Sequence, residues 1–336
     1  MWPVILSFLC VVGLYRSAGQ IHPWDAKHGV SVVQPELLIA DPLKTEVGKR
    51  CYKLYGNVTF VPETEVANHI PAVLLSFPGS GNTWVRLLIE YATGHYSGAL
   101  DVNDHELQGL LFGERACGQR NSINKAHPGD LFVRGDKMKN GTIVESIRFV
   151  YKWQRKKCIR GGVHTWTKFL ILTRDPYEAI FADFQRHISG SHSGTMNSSY
   201  LDPASPLHKL WLERSIRGAS DLRDGMEDLL HYVVQRYPDL LHARYSRLLD
   251  RATRLQELRT MVKFLNYSAS DDRLECAFSL AETPRIKRTK RLNITRAYLD
   301  VKPGLVCDVW RYVRTFSQNF SYPIWQPKDS AVRITC

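Results

Sequence analysis

The 336-residue sequence is as informative for what it lacks as for what it holds. Its seven cysteines stand far apart, with no Cys-x-x-Cys pair, which argues against a metal site built on thiolates. No internal repeat is present. The longest apolar run, residues 2–15, is shorter than the roughly 20 residues that a membrane span needs. Acidic residues are in deficit, 33 Asp and Glu against 45 Lys and Arg, for a formal charge of +12. A basic surface of that size calls for anionic partners, although most of these side chains only solvate the fold. A hydrophobic fraction of 44% argues against global disorder, and the length allows one α/β domain of about 250 residues behind an N-terminal stem.

What is present centres on residues 72–90, where an apolar strand runs through Ser76-Phe-Pro-Gly-Ser-Gly-Asn-Thr-Trp84 into an amphipathic helix. Gly79 and Gly81 lack a Cβ, so the turn can bend sharply and approach a ligand. The N–H groups and dipole of the following helix favour a phosphate or sulfate. Ser80 and Thr83 add hydroxyls. The Lys followed by Ser or Thr that closes a nucleoside triphosphate loop is missing, so the turn does not read as an ATP or GTP site.

This turn resembles the 5′-phosphosulfate loop of sulfotransferases that use 3′-phosphoadenosine-5′-phosphosulfate (PAPS), whose cytosolic members read Tyr-Pro-Lys-Ser-Gly-Thr-Thr-Trp. Residues 77–90, 170–186 (Leu-Ile-Leu-Thr-Arg-Asp-Pro-Tyr-Glu-Ala-Ile-Phe-Ala-Asp-Phe-Gln-Arg) and 261–268 (Met-Val-Lys-Phe-Leu-Asn-Tyr-Ser) together resemble the catalytic domain of the WSC-domain-containing sulfotransferases. The likeness covers roughly residues 70–325, without a Cys-rich WSC module. It implies a P-loop-like, three-layer fold, PAPS as co-substrate with no metal, and transfer of a sulfuryl group to a hydroxyl of a glycan. Sialic acid is among the acceptors that the resemblance points to.

Compartment signals agree with that expectation. Residues 1–19 read as a signal peptide or a short signal-anchor, with Arg16-Ser-Ala-Gly19 suited to cleavage. Six Asn-x-Ser/Thr sequons begin at Asn57, Asn140, Asn197, Asn266, Asn293 and Asn319. With Cys10 removed, Cys51, Cys117, Cys158, Cys276, Cys307 and Cys336 are an even set, read as three disulfides whose pairing the sequence leaves open. The expected location is the secretory pathway, in the Golgi lumen or secreted. The expected partners are PAPS or its product PAP and an anionic glycan or glycoprotein, not nucleic acid, with a membrane involved only if the N-terminal segment stays as an anchor.

Along the chain, residues 20–68 read as a Pro-containing stem and 69–336 as the catalytic domain. Strands are expected at 72–77, 131–134, 169–173 and 240–243, and helices at 84–91, 176–186, 222–237 and 255–265. Residues 109–130 read as a polar, Gly-rich stretch, 137–168 as a basic insertion and 188–199 as a lid-like loop. The alternating order implies a mainly parallel sheet covered on both faces.

The resemblance assigns roles residue by residue. Gly79, Ser80, Gly81, Asn82, Thr83 and Trp84 would hold the 5′-phosphosulfate and lean on the adenine; Trp84 reads equally as a core residue. Relatives place a catalytic Lys where this chain has Gly79, so the cation for the bridging oxygen must come from elsewhere. Arg86 or the basic segment Pro284-Arg-Ile-Lys-Arg-Thr-Lys-Arg291, with Arg285, Lys287 and Arg288, is the expected source. Arg174 in Thr-Arg-Asp-Pro matches the Arg that grips the 3′-phosphate, where a planar fork suits the dianion. The serine that relatives use eight residues later is Ala182 here, and Tyr245 matches an adenine contact. Relatives end the second strand in Val-Lys-Thr-His, the His acting as general base. Val133-Arg-Gly-Asp136 is the local counterpart, which points to Asp136, with His127 and His164 as alternatives and a turn-capping role for Asp136 equally open. A non-catalytic glycan-binding or interaction protein on the same fold is the alternative to an enzyme, suggested by Gly79, Ala182 and the missing His.

Overall fold

The computed structural model describes residues 45–66, 69, 72–100, 107, 111–115, 118, 120–128, 131–137, 143–149, 168–191, 198–282, 296–322 and 336. Its strands are β1 (Ala72–Ser76), β2 (Gly98–Ala99), β3 (Ile123–Ala126), β4 (Leu131–Lys137), β5 (Ile143–Phe149), β6 (Lys168–Thr173) and β7 (Asp239–Arg244). The main helices are α1 (Glu46–Tyr55), α2 (Asn82–Thr93), α3 (Pro176–Ser189), α4 (Pro206–Asp221), α5 (Asp228–Arg236), α6 (Arg254–Phe264), α7 (Asp271–Ala281) and α8 (Leu305–Asn319).

β1 and β6 are buried at every residue, because successive side chains feed two different layers. Val73, Leu75, Phe169 and Ile171 pack among residues of α3, α4 and α8. Ala72, Leu74, Leu170 and Leu172 face the other way, among residues of α2, α6 and α7. Burial on both faces is what a parallel sheet between helical layers requires. The fold is therefore α/β, with a five-stranded, all-parallel sheet in the order β2-β3-β1-β6-β7.

That order locates a crevice. From β1 the chain moves to β3 on one side; from β6 it moves to β7 on the other. The reversal lies between β1 and β6, and ligands of open α/β sheets settle outside the carboxyl ends of strands at such a point.

Two expectations change. Residues 131–134 do not form a strand of the central sheet: β4 pairs antiparallel with β5, which lies in the stretch expected to be an insertion. The second and third strands are instead β2 and β3, and β3 lies in the stretch read as polar and Gly-rich. The stem read over residues 20–68 includes α1, whose Cys51 is bonded to Cys276 of α7. Arg50 and Tyr55 add contacts to Asp272 at 2.7 and 3.0 Å. A second disulfide joins Cys307 to Cys336, while Cys117 and Cys158 lie outside the described residues. Among the described residues no helix is long and apolar enough to cross a membrane.

Candidate functional site

The turn after β1 occupies the crevice. Gly79 and Gly81 both have positive φ, +81° and +91°, a region in which only glycine is at ease. The reason they must be glycine is closeness to protein groups. A Cβ on Gly79 would lie 2.1 Å from the Ala179 carbonyl oxygen and 2.9 Å from the Asp183 nitrogen, both on α3. One on Gly81 would lie 2.3 Å from the Tyr245 ring. Gly81 is also the N-cap of α2, with no side-chain cap and no acid in the first turn. The helix start is therefore left with backbone donors that an anion can take up. Ser80, Asn82 and Thr83 are buried beside it, with the Thr83 hydroxyl 3.3 Å from Asn82 Oδ1.

The ends of β6 and β7 close the other wall. Arg174, first residue after β6, donates from Nη1 to the Gly79 carbonyl at 2.9 Å and from Nε to Glu178 at 3.0 Å. Its guanidinium stands 4.8 Å from the centre of the Tyr245 ring, and Trp84 meets that ring edge-on at 5.6 Å. Gly79, Gly81, Trp84, Arg174 and Tyr245 thus form one interlocked unit at the crevice. Asp175, next to Arg174, caps α3 by accepting from the Glu178 N–H, and burial pushes its carboxyl up to about 6. Ala182 is buried within α3.

β3 ends beside β1, and the residue that follows it is His127. Its Nδ1 lies 2.7 Å from the Ser76 carbonyl oxygen, which can only accept, so Nδ1 carries the proton and Nε2 the lone pair. The Asn82 amide, which donates to Ser76 Oγ at 3.1 Å, stands 3.5 Å from that Nε2. Burial pushes the imidazole down to about 3, and the cations of Lys125 and Arg186 add to the effect against the opposing charge of Asp183. In the neutral ring Nε2 is the acceptor atom, and it faces the Asn82 amide at the start of α2. Lys125-Ala-His127 repeats the spacing of Lys-Thr-His, and His127 is one of the two alternatives to Asp136 that the sequence offers.

Two expected roles do not fit the geometry. Asp136 lies in the antiparallel hairpin, opposite Val144, not at a strand end beside β1. Arg86 is fully buried and turned away from the crevice, where it contacts Glu114 and donates from Nε to Ser97 Oγ at 2.9 Å. Its partner comes from a helical turn 28 residues away, which local reading could not anticipate. Lys125 Nζ approaches the same carboxylate at 3.6 Å, so Glu114 serves two cations at once. Nearby Glu90, held by the Ser97 N–H and hydroxyl at 2.8 and 2.6 Å, is pushed by burial up to about 7. Arg285, Lys287, Arg288 and His164 lie outside the described residues.

No family model matches the chain. Curated relatives do. The chain is similar to WSCD family members. It is 26% identical over 238 residues to "WSCD family member GA21586" of Drosophila pseudoobscura pseudoobscura, covering 67% of this chain and 60% of that protein. "WSCD family member CG9164" of Drosophila melanogaster is 26% identical over 237 residues, 66% and 59% of the two chains. "WSCD family member AAEL009094" of Aedes aegypti is 26% identical over 219 residues, 62% and 54%. The match thus spans 54–60% of the length of these relatives.

Proposed function

We propose that this protein is a PAPS-dependent O-sulfotransferase with a carbohydrate acceptor, working in an oxidising compartment of the secretory pathway. The observation that carries the reading is the pairing of an uncapped helix start after β1 with a neutral imidazole at the end of β3, its Nε2 3.5 Å from the amide of Asn82, the first residue of that helix. An anion cradle beside a proton acceptor is what sulfuryl transfer to a hydroxyl requires.

In the proposed step the acceptor oxygen attacks sulfur, and its proton passes to His127 Nε2. The sulfur–oxygen bond to the 5′-phosphate breaks, and PAP leaves with the electron pair. The backbone of residues 79–83 and the hydroxyls of Ser80 and Thr83 hold the 5′ end. Arg174 braces the cradle through the Gly79 carbonyl and has further N–H groups for the 3′-phosphate, while Trp84 and Tyr245 supply an aromatic corner for adenine. The two disulfides support an oxidising compartment.

A second reading, a non-catalytic glycan-binding protein, draws on the absence of a cation at position 79 and the commitment of Arg86 to Glu114. Transfer of radiolabelled sulfate from PAPS to a panel of sialylated and non-sialylated glycans separates the two. Labelled product is expected; PAP binding without product would favour the second reading.

A further inference from the structure

Two sequons, far apart in sequence, meet on the surface. In Asn57-Val58-Thr59, Val58 is buried while Asn57 and Thr59 are exposed. In Asn266-Tyr267-Ser268, Tyr267 is half-buried while Asn266 and Ser268 are exposed. Each sequon is pinned by its middle residue and turns its asparagine and hydroxyl outward. His95 joins them: it forms a parallel bridge with Thr59, and its ring lies 5.3 Å from that of Tyr267.

Their place in the fold is opposite the crevice. Thr59 N–H donates to the carbonyl of Gly94, the residue that ends α2, at 2.9 Å. The 12 residues of α2, at about 1.5 Å each, separate that end from the cradle by about 18 Å. Lys168, first residue of β6, donates from Nζ to Asn266 Oδ1 at 3.1 Å, which marks the amino end of the sheet. That bond uses the amide oxygen, not Nδ2, and the residue is exposed. Asn266 has φ +65°, a conformation that asparagine tolerates better than most residues.

We propose that Asn57 and Asn266 both carry N-linked glycans, which cover the amino-terminal edge of the sheet and leave the opposite, crevice-bearing end open to substrate. In each transfer the amide Nδ2 bonds to the anomeric carbon of the first sugar of a lipid-linked oligosaccharide diphosphate. The bond from that carbon to the diphosphate breaks, the lipid diphosphate leaves, and the amide proton passes to a base of the transferring enzyme. The inference stands on exposure and on the oxidising compartment, and it is independent of the sulfotransferase reading.

The test is made on the full chain produced in mammalian secretory cells, digested with a peptide N-glycosidase in ¹⁸O-water and read by mass spectrometry. Conversion to labelled aspartate is expected at both 57 and 266. Thr59→Ala should abolish it at 57 alone and Ser268→Ala at 266 alone, with Asn266 still free to accept from Lys168. Thr59→Ser, which keeps a hydroxyl, should restore it. Recovery of either asparagine unmodified from the wild-type protein, or label persisting at 57 in Thr59→Ala, would overturn the proposal.

Discussion

Replacing Arg174 with Ala should damage the cradle itself, not only the grip on a 3′-phosphate. The side chain is 17% exposed, and one face of its fork is spent on the Gly79 carbonyl, the residue held at φ +81°. Losing a charged hydrogen bond of this kind costs about 1.5–3 kcal/mol. The contact with the Tyr245 ring adds about 0.5–1 kcal/mol. The pair with Glu178, which is 41% exposed, adds at most about 1 kcal/mol. Because these share one group they do not sum fully, and a loss of about 2–4 kcal/mol is expected in urea unfolding. PAP and adenosine-5′-phosphosulfate, which lacks the 3′-phosphate, should both bind more weakly, PAP more so. Arg174→Lys keeps the charge but not the fork, and should recover part of the stability and little of the PAP affinity. A stability change below about 0.5 kcal/mol, the level of an ordinary surface substitution, would refute the bracing role.

Breaking the buried cluster should be costlier still and should act on the fold: Arg86→Leu leaves Glu114 with only the looser contact to Lys125, and about 3–5 kcal/mol is expected to be lost in urea unfolding. The pH dependence of stability should split by group. Asp175, raised to about 6, stabilises the folded state when protonated, and that contribution is lost as pH rises from about 3.8 through 6. Asp175→Asn, which can still cap α3, should therefore gain on the wild type across that window by up to about 1.4 kcal/mol per pH unit, read from urea curves at each pH. His242 is pushed down to about 4 by burial and the Arg244 charge, with Thr173 Oγ1 2.6 Å from its Nε2. It works the other way: its contribution is present above about 6.5 and lost as pH falls towards 4, so His242→Gln should flatten that acid limb.

The strand-turn-helix at residues 72–90 was legible in the sequence because the apolar run and the two glycines need no distant partner to be interpreted. β6 and α3 were legible for the same reason: an unbroken apolar strand followed by Asp-Pro, which caps and starts a helix. β3 was not. Its Asn124 and Lys125 are buried only because Gly118, Asn121 and Glu114 meet them, and nothing in Ile-Asn-Lys-Ala announces those partners. Leu131-Phe-Val-Arg134 has the better strand pattern, so it drew the assignment that belonged to residues 123–126, and the expected base was placed with it at Asp136, with His127 kept as an alternative. Arg86 misled in the opposite sense. One turn into the cradle helix it looked like a ligand for the donor, yet the 3.6-residue period turns it into the interior, toward Glu114. The closeness of Tyr245 to Gly81 and of α3 to Gly79 was out of reach of sequence reading altogether, since both depend on how β6 and β7 stand beside β1.

The most direct test is a comparison of wild type and His127→Gln for transfer of radiolabelled sulfate from PAPS to a glycan acceptor, with PAP affinity measured on the same preparations by thermal shift. Wild-type protein should form labelled product, and the variant should lose about 10²–10⁴-fold in transfer, the range for removing a general base, while PAP affinity stays the same. Equal transfer by the two proteins would contradict the role of His127, and no transfer by a wild-type protein that binds PAP would contradict the enzyme itself.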